Sequence, residues 1–100
     1  MGTATVDSGQ ILPTGARVIE CRVEVLTPYS LGATIEVGRA SDPDLYQTAA
    51  QNIPQVANTY TVDLDQRVNT SMAAVRVTIG GAPVVGSAIV MVLYLDSVEV

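Results

Sequence analysis

Ten carboxylates, five arginines, four tyrosines, one cysteine and no histidine are the side chains of this sequence that could do chemistry. Without histidine, neither a Ser-His-Asp nor a Cys-His nucleophile can be assembled, and a zinc site loses its commonest ligand. Two carboxylate pairs stand out, Asp42 with Asp44 and Asp63 with Asp65. Paired carboxylates hydrolyse glycosides when they flank a cleft that raises one pKa, and they hold calcium when six or more oxygens converge. Neither pair has EF-hand spacing. Asp42 stands before Pro43 and suits a helix N-cap, with Asp44 in the first turn, where the helix dipole favours negative charge. Asp63 and Asp65 read as turn acids at a strand end. Tyr29, Tyr46, Tyr60 and Tyr94 could build a sugar-stacking platform, but Tyr60 and Tyr94 fall inside strand patterns, which leaves Tyr29 and Tyr46 for a loop site. Cys21 has no partner for an internal disulfide and sits in an apolar alternation, as a buried thiol would. Gly80-Gly81 is a turn: a phosphate cradle needs a following helix and usually a lysine. The expectation is a chain that is not an enzyme, with no catalytic residue, cofactor or metal site.

Charge narrows the partners. The formal net charge is −5 and the pI about 4.2, and all five basic residues are arginines scattered among twice as many acids. Neutralising a polyanion requires clustered basic groups, so neither nucleic acid nor an anionic membrane is an expected partner. The longest apolar run, from Ala82 to Leu95, is too short for a membrane helix and is interrupted by Pro83, Gly86 and Ser87. The opening MGTATVDSGQ lacks the basic and apolar regions of a secretory leader, so synthesis in the cytoplasm is expected.

The elements that must position these groups are strands. The hydrophobic fraction is 48% but the aromatic fraction only 4%, so the interior must be built from Val, Ile, Leu and Ala, and β-branched residues favour pleated surfaces. Residues 1–10 are polar and aperiodic, which predicts a flexible arm or a strand-like extension without core contacts of its own. Residues 11–100 read as one domain. From Arg17 to Thr27, Ile19, Cys21, Val23 and Val25 face one way and Glu20, Arg22 and Glu24 the other, the pattern of a half-buried strand. Residues 33–37 alternate again beyond a short Pro28–Gly32 turn, which predicts a hairpin placing Arg17 or Arg22 opposite Glu36. One short helix, from Pro43 to about Ala50, is expected after the Gly38–Asp42 loop. Further strands are expected over Asn58–Leu64 and Ala73–Ile79, the latter joined through a long turn to Gly86–Leu95. Asp96 to Val100 would continue that strand or fray. Regularly spaced strands with a single short helix predict an all-β antiparallel β-sandwich of jelly-roll or Ig-like type.

The stretch GSAIVMVLYL, Gly86 to Leu95, is apolar on both alternating faces: Ala88, Val90, Val92 and Tyr94 on one, Ile89, Met91, Leu93 and Leu95 on the other. One face can pack on the domain's own core, while the other calls for a further layer or a neighbouring molecule. Met91, Leu93, Ile89 and Leu95 are therefore the leading interface candidates, with Ile11 and Leu12 beside them.

The segment from Gly32 to Tyr46, GATIEVGRASDPDLY, resembles a pattern of small β-rich structural proteins of tailed bacteriophages. There a G-A-T strand runs into a D-P-D turn, then a T-Y-x-V-x-L strand, and finally a G-S-A-x-V-x-V-x-Y strand. Asn58 to Leu64 and Gly86 to Leu95 supply the later pieces, so the resemblance covers about two thirds of the chain. It implies a virion component: a capsid decoration (cement) protein made in the host cytoplasm, forming a homo-oligomer, a trimer in the first instance, on the major capsid protein or another virion protein. A tail or baseplate module is the related alternative, and a carbohydrate-binding sandwich using Tyr29 or Tyr46 the unrelated one.

Overall fold

Alternating patterns become strands, and short polar breaks become the passages between them. The computed structural model describes residues 4–96, with strands β1 (Ala4–Leu12), β2 (Arg17–Thr27), β3 (Thr34–Arg39), β4 (Asp42–Gln47), β5 (Thr59–Val68), β6 (Ala73–Gly80) and β7 (Ser87–Leu95). Two antiparallel sheets pack face to face, one in the order β1-β6-β3-β4 and the other in the order β5-β2-β7. The core between them comprises Val18, Cys21, Val23 and Val25 of β2, Ile35 and Val37 of β3, with Leu12, Tyr46 and Leu64 around them.

Several expectations change. Of the two forms expected over residues 1–10, the structure has the strand-like extension: from Ala4 onward the chain pairs with β6, and Leu12 anchors its end in the core. Backbone pairing, which leaves no side-chain period, holds this segment. Residues 1–3 lie outside the described residues, as does the continuation expected over residues 97–100.

The helix expected from Pro43 to Ala50 is also replaced. Asp42–Gln47 forms edge strand β4, joined to β3 by a tight turn at Ala40-Ser41, and helical geometry is confined to a single 3-10 turn at Ala49–Gln51. A proline is tolerated on a sheet edge because its missing N–H costs no ladder bond there. The decisive residues are Tyr46 and Gln47, both buried, whose contacts outweigh the local capping signal.

Neither expected hairpin forms. β2 and β3 lie in different sheets, as do β6 and β7, so both connections cross the sandwich. Arg22 accordingly pairs with Glu20 on its own strand and not with Glu36. In β2 the alternation also changes phase. A bulge between Val18 and Glu20 turns Val18 into the core and leaves Ile19 only partly buried.

Cys21 is the buried thiol expected, and burial, with Glu20 adding to it, pushes its pKa up to about 12. A chromogenic disulfide reagent at about pH 8 should leave the native thiol untouched and titrate it fully in denaturant, because the thiolate is the nucleophile. Rapid native labelling would contradict this burial.

Candidate functional site

The two long sides of the sandwich differ. On one, β4 and β5 approach each other, and Gln47 crosses the gap: its Nε2 donates to the Tyr60 carbonyl of β5 at 3.2 Å, and its Oε1 accepts from Asn52 Nδ2 at 2.8 Å. Asn52 Nδ2 also donates to the Ile35 carbonyl at 3.0 Å. At one end of the sandwich Asn69 makes a similar clamp, donating to the carbonyls of Leu12 and Pro13 and accepting from Arg39. These three buried amides carry no periodic sequence signal, and reading the sequence missed them all.

On the other side the edges β1 and β7 stand apart. An apolar cleft of about 250 Å³ opens between them, lined by Val6, Val75, Val77, Ala88 and Val90 and ended by Tyr29. It leads past Ser8, Val75 and Val90 into a hollow of about 130 Å³ at Val92 and Tyr94. The inward residues here, Val75 and Val77 of β6 and Ala88 and Val90 of β7, are small and remain only partly buried. β1 stays in place through the Ser8 hydroxyl, which accepts from Val75 N at 3.1 Å, and through Asp7, which takes two hydrogen bonds from Arg76. That guanidinium holds the Asp7 carboxyl below its usual range.

Outside the cleft, β7 presents its second apolar face to solvent. Ile89 is 46% exposed, Met91 38% and Leu95 55%, with Leu93 half-buried between them. Four of the sequence candidates thus form one stripe. Ile11 is exposed on β1, whereas Leu12, at 5% exposure, is a core residue. Beside the stripe, β2 contributes Glu24, Arg22 and Glu20 opposite Ile89, Met91 and Leu93. The outer face of this sheet is therefore apolar along its free edge and charged towards its middle.

The carboxylate pairs come together unexpectedly. Asp42, Asp44, Asp63 and Asp65 line one shallow hollow of about 590 Å³ with Arg67. Asp63 accepts from the Asp65 backbone N–H at 2.8 Å, within a β5 irregularity where Asp65 has a φ of 48°. Among the described residues no three acidic, cysteine or histidine side chains are placed to hold a metal ion. Tyr46 is buried, and burial raises its pKa, so it offers no ring face to a sugar; Tyr29 stacks over Gly86 at the start of β7. No protein-family model, curated protein or solved structure matches the chain.

Proposed function

We propose that this chain is a non-enzymatic structural protein of a phage virion, a decoration (cement) protein that binds the head surface and opposes separation of capsid subunits. The observation that carries the reading is the exposed stripe Ile89, Met91 and Leu95 on a rigid strand, contact surface in place of chemistry. Burial of each such side chain contributes up to about 1.5–3 kcal/mol, so a few contacts repeated over many copies resist expansion of a shell. The resemblance of Gly32–Tyr46, Asn58–Leu64 and Gly86–Leu95 to the phage pattern supports the reading from the sequence side. Its partners are further copies of itself and the major capsid protein, and its place is the outer surface of the virion. Strand order favours the Ig-like over the jelly-roll class: β2 adjoins β5 and β3 adjoins β6, as B adjoins E and C adjoins F in that class, although the two terminal strands are exchanged and β4 lies beside β3 where D lies beside E.

Cosedimentation with purified phage heads lacking the protein tests this reading. Saturable binding to heads is expected, with occupancy falling about tenfold or more for Leu95→Asp at an unchanged melting temperature. Binding confined to tails would move the protein to the tail or baseplate alternative, and binding to no particle would overturn the reading.

A further inference from the structure

Among the described residues four strand edges are free, and three carry features that discourage pairing with another chain. β1 has a register break between Asp7 and Ile11 and a charged Asp7. β4 opens with Asp42-Pro43-Asp44, and β5 carries Asp63, Arg67 and the left-handed Asp65. Charges, prolines and bulges are the usual protections of an edge. β7 has none of them. Its nine residues, SAIVMVLYL, contain no charge, proline or glycine, and both register shifts against β2 fall at extra β2 residues, Ile19 and Leu26, so β7 itself runs unbroken.

We infer that the free edge of β7 pairs antiparallel with the same edge of a second copy, about a twofold axis at Met91. The sequence of β7 is self-complementary in this register. With Met91 opposite Met91, Ile89 meets Leu93 and Val90 meets Val92, so outer residues pair with outer and inner with inner across the full nine residues. The two three-stranded sheets become one of six strands, and the outer apolar stripe doubles in width. The axis stands perpendicular to the sheet, so the open mouths of the two clefts face each other and their apolar lining is closed from water. A second copy fits better than a basic partner, because nothing on this edge offers a negative charge to attract one. Nine residues a side is well short of the roughly 20–30 of a standard interface, so the pair exchanges rapidly. Pairing of like edges closes at two, so a trimer would have to use another surface. The inference does not depend on the virion reading: particle binding without a dimer would leave that reading standing and remove this one.

Sedimentation velocity from about 10 µM to about 1 mM spans the range expected for a weak pair. A shift from 10.5 kDa to twice that mass is expected, strengthened by salt because it screens repulsion between two acidic copies. Met91→Lys, which sets like charges face to face across the axis, should weaken the pair about tenfold or more. Hydrogen exchange separates edge pairing from face packing. In the paired state the alternate β7 amides that point away from β2 become protected, and Met91→Lys reopens them. Should that variant fail to fold, Met91→Cys decides, since the pair brings its two Cα atoms within disulfide reach and oxidation should give a covalent dimer that Ile89→Cys does not. A monomer at the highest concentration, a trimer mass, or a dimer whose alternate β7 amides stay open would each overturn the inference.

Discussion

Replacing Gln47 by alanine is expected to destabilise the fold by roughly 3–5 kcal/mol, combining a cavity with the loss of the amide's hydrogen bonds. Gln47 is fully buried, and it belongs to β4 while its partners lie elsewhere: the Tyr60 carbonyl on β5, the Cys21 carbonyl on β2 and the Asn52 amide beyond the 3-10 turn. It is therefore the polar link that closes the β4/β5 side. Its removal leaves the Tyr60 carbonyl without this donor and Asn52 with only the Ile35 carbonyl as partner for its amide. In a chain of this size each kcal/mol moves the melting point by about 4–8 °C, so a fall of roughly 12–40 °C is expected in a thermal melt. Gln47→Leu separates the two contributions, because it keeps most of the volume and none of the hydrogen bonding. It should lie between wild type and alanine, about 1–3 kcal/mol below wild type. A leucine variant as stable as wild type would show that the amide contributes packing alone.

The contrast between the two sides of the sandwich explains what was legible in the sequence. Period-2 patterning located β2, β3 and β6 almost to the residue, because each turns one apolar face towards the other sheet, and β7 was located by its unbroken apolar run. It also identified the stripe on β7, since a strand apolar on both faces is conspicuous without any structure. β1 and β4 escaped for different physical reasons. β1 is held by backbone bonds to β6 and by Asp7 and Ser8, none of which needs an apolar period. In β4 a local N-cap signal at Asp42-Pro43 competed with the tertiary contacts of Tyr46 and Gln47, and the tertiary contacts prevailed. The sheet assignment was not legible at all. A short loop such as Pro28–Gly32 suits a hairpin and a passage between sheets equally, and only the partner found by each strand decides. The meeting of the four aspartates in one hollow depends on that same long-range choice, since β4 and β5 are adjacent only because the sandwich closes there.

The other end of β4 depends on Gly38, and Gly38→Ala is expected to cost about 3 kcal/mol or more, an overpacking that the backbone cannot relieve. Between the pairs Arg39 with Asp42 and Val37 with Gln47, β4 bows over β3 and passes across Gly38. A Cβ built there would lie 2.2 Å from the Asp42 carbonyl oxygen and 2.6 Å from the carbonyl carbon and oxygen of Pro43. All three are backbone atoms, so no side chain can rotate out of the way, and β4 must lift from β3. Hydrogen exchange should show the damage as local, with β4 amides opening first and the β2–β7 ladder retaining its protection. The two ends of β4 should also be coupled. If Gly38 and Gln47 stabilise the same docked strand from its two ends, Gly38→Ala with Gln47→Ala should cost less than the two single changes added, because a strand already lifted has no further contacts to lose. Denaturant titration of the four proteins measures the difference. Strict additivity would mean that the two ends of β4 are held independently, and that Gln47 stabilises β5 without help from the bow over Gly38.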